Sequence, residues 1–305
     1  MTRLLLVCCL IVVASARAAS PAACPPADGV ALQVLGSGGP IADDARASTA
    51  YVVWVDGASR ALIDMGSGSF LRFGEAGADF KELDFVGLSH FHTDHAADFV
   101  ALLKSGNFSG RERPLPVAGP SGSDRFPGLN DFLAANLDKT AGAYRYLGGY
   151  LDGTGGLARL VPTEVGADAG PADDLLAGSL SVSAQHVPHG IVPALGFRIE
   201  VAGQSLVFAA DQNGSDPAFV DFAKDASLLV MHMVIPEGAG DRAKQLHAEP
   251  SRIGEIAAAA GAKRLLLSHF MARSLRNLDG NVTRVAAHYA GDILLADDLG
   301  CFPVP

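Results

Sequence analysis

Three histidines and an aspartate fall within six consecutive residues, His90-Phe91-His92-Thr93-Asp94-His95. Neutral imidazole and carboxylate are the usual protein ligands of zinc and similar borderline cations. On a loop, alternate side chains can turn toward a common centre. His90 and His92 are therefore expected to grip one cation, and Asp94 and His95 to point at a neighbouring one. A pair of divalent cations can activate water at neutral pH and stabilise the charge that builds up as an ester is attacked. Hydrolysis is the chemistry this stretch predicts.

Such a loop works only if rigid elements hold it. Residues 84–88 are an apolar run that reads as a strand, and residues 96–103 carry the apolar period of a helix, so the ligands sit on a strand-to-helix loop. Upstream, residues 30–35 read as a strand ending in Gly36-Ser37-Gly38-Gly39-Pro40. That glycine run has neither nucleotide-binding spacing and is read as a turn. Residues 50–56 and 60–64 form a hairpin about Asp56-Gly57, a dipeptide suited to tight turns. Downstream, strands are expected at 114–118, 179–186, 205–210, 227–231, 263–267 and 293–296, with helices at 126–137, 252–260 and 277–289. Residues 140–178 show little clear period; they are left unassigned and are candidates for shaping the substrate mouth.

The chain has 305 residues, 49% hydrophobic and 18% charged, values that suit a well-packed domain rather than a disordered chain. Residues 1–19 read as a signal peptide: Arg3, an apolar run through Val13, then small residues fit for cleavage. The apolar run is too short for a permanent membrane span. The expectation is a periplasmic or secreted protein with one hydrolase domain over residues 20–305 and no stable membrane anchor. Cys24 and Cys301 would then be the cysteines left after processing, placed to tie the two ends in an oxidising compartment. A formal charge of −10 with no Lys/Arg-rich run argues against a large nucleic acid as partner.

The pattern His-x-His-x-Asp-His after a strand resembles the signature of the metallo-β-lactamase superfamily, and the chain as a whole resembles its ribonuclease Z and arylsulfatase-like branch. That resemblance implies an α/β fold, the four-layer αββα sandwich, with metal ligands gathered at one edge where the two sheets meet. It implies a third ligand on a later loop. His189, followed by Pro193-Ala194-Leu195-Gly196-Phe197, is the candidate, with His186 competing. Asp211 matches the carboxylate that bridges two metals, although an Asp before Gln212-Asn213-Gly214 can also simply start a turn. His269 matches the last ligand.

His247 occupies the place of a histidine that faces the leaving group in the phosphodiesterase branch; the plainer reading is a neighbour of a helix cap. Asp64 is either a hydrogen-bond partner of a ligand histidine or a helix cap. The implied site thus has His90, His92 and His189 on one divalent ion, Asp94, His95 and His269 on the other, and Asp211 between, with zinc the default metal. Asp94 and His247 are its catalytic side chains.

Two departures from ribonuclease Z stand out. Met233 follows His232 where that family carries His-Glu-Ala-Thr, and only Val201-Ala202-Gly203-Gln204 stands where the tRNA-processing enzymes insert a long arm. The expected activity is therefore an exported hydrolase of a small phosphodiester or aryl sulfate ester. The alternatives are a lactone or β-lactam hydrolase, or a metal-binding protein of the same fold without turnover.

Overall fold

The computed structural model describes Cys24 and residues 26–167, 170–176, 178 and 180–304. The expected signal peptide at residues 1–19 lies outside the described residues. Among those described, no helix is long and apolar enough to cross a membrane.

Chain order runs β1 (Val30–Gly36), β2 (Ala50–Val55), β3 (Ala58–Ile63), α1 (Ser69–Glu75), β4 (Phe85–Gly87), α2 (Thr93–Ala96), α3 (Phe99–Gly106), β5 (Leu115–Pro120), α4 (Leu129–Leu137), α5 (Gly149–Asp152), β6 (Leu160–Val165) and β7 (Ala172–Leu176). It continues with β8 (Leu180–His189), β9 (Val192–Val201), β10 (Gln204–Phe208), α6 (Ala218–Phe222), β11 (Leu228–His232), α7 (Asp241–Lys244), α8 (Pro250–Ala259), β12 (Arg264–Ser268), α9 (Ala272–Leu275), α10 (Leu278–Ala286), β13 (Asp292–Leu295) and β14 (Cys301–Val304). The strands form two seven-stranded sheets, ordered β14-β1-β2-β3-β4-β5-β6 and β13-β12-β11-β10-β9-β8-β7.

Alternation along the strands explains the layering. In β1 and β2, Val30, Leu32, Val34, Tyr51 and Val53 enter the core shared with the second sheet. Their neighbours Ala31, Leu35, Val52 and Trp54 pack under the first sheet's helices. A period of two puts successive side chains on opposite faces, so one strand serves two cores. In the second sheet β10, β11, β12 and β13 are parallel, and their apolar runs are covered on both faces, as parallel strands require. Helices α8 and α10 close the outer side through Ile253, Ile256 and Val285. The result is the αββα sandwich.

Three local expectations change. The helix after the histidine motif is two pieces, α2 and α3, broken where Asp98 turns to accept a 3.0 Å hydrogen bond from the Phe70 amide. The helix expected from residue 126 starts at Leu129, because Pro127 disfavours helical backbone at the residue before it and Gly128 is extended (ψ 178°). Residues 140–178, left unassigned, hold the two edge strands β6 and β7. β6 exposes its middle four residues, including a proline, and β7 carries two aspartates, so neither shows a clean apolar period. Asp56-Gly57 does turn the first hairpin, with φ of 49° and 79°.

Candidate metal centre

The candidate ligands are delivered by strand ends, the loops just beyond them and the short helix that follows β4. His90 and His92 follow β4, and Asp94 and His95 lie in α2. His189 is the last residue of β8, while Asp211 and His269 follow β10 and β12. Turning the chain this sharply needs unusual backbone: Asp64, Ala210 and His269 have φ of 59°, 54° and 53°. Such left-handed non-glycine residues cost of order 1–3 kcal/mol each and persist where the surrounding packing dictates them. Glycines allow the closest approaches. A Cβ on Gly66 would lie 2.1 Å from the Asp94 carbonyl oxygen, and one on Gly39 would lie 2.7 Å from His269 Cε1.

The buried Asp64 orients the motif. Its carboxylate accepts from the Ser89 amide at 2.7 Å, the Ser89 hydroxyl at 2.8 Å and His95 Nδ1 at 2.8 Å. It caps no helix, since α1 begins after Gly68. The bond at Nδ1 leaves His95 Nε2 as the ligand atom. His189 is fixed in the same way: its Nδ1 donates to the Leu246 carbonyl at 2.9 Å, leaving a buried Nε2 with no hydrogen-bond partner among the described residues.

Three overlapping sets of side chains have ligand atoms within 4.8 Å of one another: His90, His92 and His189; His95, Asp211, His232 and His269; and His189, Asp211 and His247. Within them His90 Nε2 lies 2.9 Å from His92 Nδ1, and His95 Nε2 lies 3.1 Å from His269 Nε2. Asp94 Oδ2 reaches His269 Nε2 at 3.3 Å. Asp211 Oδ2 lies 3.6 Å from His189 Nε2 and 3.7 Å from His95 Nε2, between the two halves of the cluster.

The donor chemistry fits divalent cations. Burial holds His90 well below the usual imidazole range and takes His247 to about 3, so their lone pairs are available at neutral pH, and it takes His232 to about 4. Burial opposes ionisation of Asp211, but His269 and His247 outweigh it and the carboxyl stays well below its ordinary range. Asp94 is likewise lowered to about 2, with the His269 hydrogen bond and His95 overcoming burial. His95 moves the other way, because Asp64 outweighs burial. A cation and a proton would compete for its Nε2, and binding would release the proton.

A cleft of about 480 Å³ opens onto this cluster, lined among others by Phe91, His92, Asp94, Leu246, His247 and Arg273. All seven side chains expected as ligands, and His247, therefore meet at one place. His186 does not join them; three residues from His189 along β8, it points to the other side of the strand. His232 was not singled out as a site residue, although it ends an apolar strand in register with Ser268, one residue before His269. Its Nδ1 lies 2.7 Å from Asp211 Oδ1. Glu237 serves elsewhere, accepting from the Ser251 amide and hydroxyl at the start of α8.

The model of the beta-lactamase superfamily domain matches residues 60–270. A ribonuclease Z of Mycobacterium bovis is 32% identical over 254 residues, covering 79% of this chain and 85% of the relative. The chain belongs to the metallo-β-lactamase superfamily, in its ribonuclease Z branch. A ribonuclease Z of Methanosarcina mazei is 24% identical over 298 residues, covering 89% of this chain and 97% of that one. In fold this superfamily member is similar to human tRNase Z, short form, with a TM-score of 0.69 at 21% identity over 90% of this chain and 99% of that one.

These relatives overturn two expectations. They are named for acting on RNA, not for cleaving a small phosphodiester or aryl sulfate, so neither the small-ester activity nor the exclusion of a large nucleic acid stands. The physical reason lies in what was averaged. A formal charge of −10 sums the whole chain, whereas binding at a cleft depends on the few groups that face it, Arg273 among them. The two-residue turn between β9 and β10 removes one means of holding a large RNA and leaves the cleft itself unchanged.

Proposed function

We propose that this chain is a metal-dependent ribonuclease that hydrolyses a phosphodiester bond of RNA. The observation that carries the reading is the meeting of two ligand sets at Asp211 beneath the Arg273-lined cleft, in a chain 32% identical to a ribonuclease Z. His90, His92 and His189 would hold one divalent cation and Asp94, His95 and His269 the other, with Asp211 shared; the nitrogen-rich set favours zinc. When bound, such a pair supplies Lewis acidity at the phosphoryl group and water activation at neutral pH.

The remaining groups of the cleft bind and move protons. Arg273 is anchored by its Nε, which donates to the Val234 carbonyl at 3.0 Å, and this leaves the two terminal nitrogens for a phosphate. Burial takes His247 to about 3 in the free protein; a phosphodiester anion beside it would raise its proton affinity, so that it takes a proton from solvent and passes it to the departing oxygen as the P–O bond breaks. Phe91 stacks on Phe132 with ring centroids 4.6 Å apart and offers an apolar wall for a base.

The test is cleavage of a tRNA transcript and of an unstructured RNA by zinc-loaded protein, with chelated protein as control. Metal-dependent scission of either RNA is expected. Fully loaded protein that leaves both intact would remove the ribonuclease reading.

A further inference from the structure

Asp211 is approached from behind by a buried row of polar groups outside the seven expected ligands. His232 Nδ1 lies 2.7 Å from Asp211 Oδ1, its Nε2 lies 3.2 Å from the Tyr51 hydroxyl, and that hydroxyl lies 2.9 Å from Ser268 Oγ. The row crosses the sandwich. Tyr51 belongs to β2 of the first sheet, while His232 and Ser268 end paired strands of the second. Both Tyr51 and His232 are buried, at 1% and 5% exposure.

The directions of these bonds follow from the chemistry of each group. An ionised carboxylate only accepts, so His232 must donate from Nδ1, and a neutral imidazole that donates from Nδ1 must accept at Nε2. The Tyr51 hydroxyl, a group that can donate or accept, is within reach of that nitrogen and of Ser268 Oγ. Both nitrogens of His232 are then occupied by protein, although the residue stands among His95, Asp211 and His269 at ligand distance.

We propose that Tyr51 is a positioning residue which, by holding His232 at its Nε2, keeps Nδ1 against Asp211 Oδ1 and leaves Oδ2 facing both halves of the centre, and that His232 is not a metal ligand. The inference rests on the site being a metal centre and does not depend on RNA being the substrate. It also gives a role to a residue set in the sheet opposite to Asp211.

Tyr51→Phe removes the hydroxyl and keeps the ring packed on Phe208, 5.5 Å away. Zinc affinity, read by chelator competition, should fall about 10- to 100-fold, and the visible spectrum of the cobalt-substituted protein should change, with two ions still bound at saturation. His232→Asn places an amide N–H near the position of Nδ1 and should also keep two ions. Wild-type affinity and an unaltered cobalt spectrum in Tyr51→Phe would overturn the proposal. Loss of one ion in His232→Asn would make His232 a ligand and overturn it too. A wild-type protein that binds no divalent cation would overturn the metal reading itself, and this inference with it.

Discussion

Asp211 and Asp94 do different work although both are buried carboxylates in one cluster. Asp211 sits between the ligand sets, whereas Asp94 contacts His269 and His95 on one side only. Asp94→Ala should therefore abolish hydrolysis while leaving the far-UV circular dichroism unchanged; turnover near the wild-type rate would exclude Asp94 from the mechanism. His247 stands apart in a third way. Its Nδ1 lies 3.8 Å from Asp211 Oδ2, and its ring lines the cleft. If it moves a proton to the leaving oxygen, His247→Ala should lower kcat by about 10²–10⁴-fold with two ions still bound. A variant that instead loses metal in proportion to activity would show His247 to be a ligand.

At the level of elements, the centre is built from strand ends, and small residues decide whether those ends can meet. Gly66 follows β3 and lies against the backbone of α2, which carries Asp94 and His95. Gly66→Ala puts a methyl group 2.1 Å from the Asp94 carbonyl oxygen, so one of the two segments must move. The expected result is a folded protein with reduced metal content, measured by atomic emission on protein purified in zinc. Full metal occupancy would show that the loop yields without disturbing the ligands.

This element also shows what the sequence conveyed. The strand expected at 60–64 put Gly66 just past its end, but the closeness of Gly66 to the Asp94 carbonyl, 2.1 Å from where a Cβ would stand, is a property of packed backbones and has no signature along the chain. The same holds for His232. Its type and its place at the end of an apolar strand were visible, yet its alignment with Asp211 depends on the parallel pairing of β10, β11 and β12.

Across the whole molecule, two constraints join distant parts of the chain. One is the disulfide Cys24–Cys301, which closes a loop of 277 residues and secures the final strand of the first sheet. Native disulfides contribute about 2–5 kcal/mol, so Cys24→Ser with Cys301→Ser should lower the midpoint of thermal unfolding measurably; an unchanged midpoint would mean that the bond constrains nothing the fold does not already hold. The other is the centre itself, whose side chains come from both sheets. A ligand that binds only the folded state stabilises it by mass action. Chelation should therefore lower the same midpoint, and returning zinc should restore it. Identical melting curves with and without chelator would contradict a metal centre that spans the sandwich.

The strand-to-helix motif at 90–95 was legible because residue type and local hydrophobic period are written along the chain, whereas Asp211 and His269 were picked out by the resemblance to the metallo-β-lactamase superfamily. The place of His189 3.6 Å from Asp211, the contacts of His232 with Asp211 and Tyr51, and the unpatterned edge strands β6 and β7 emerged only in the tertiary structure. Each of these depends on which strands lie side by side and how two sheets face one another, distances that are set by packing between segments far apart in sequence.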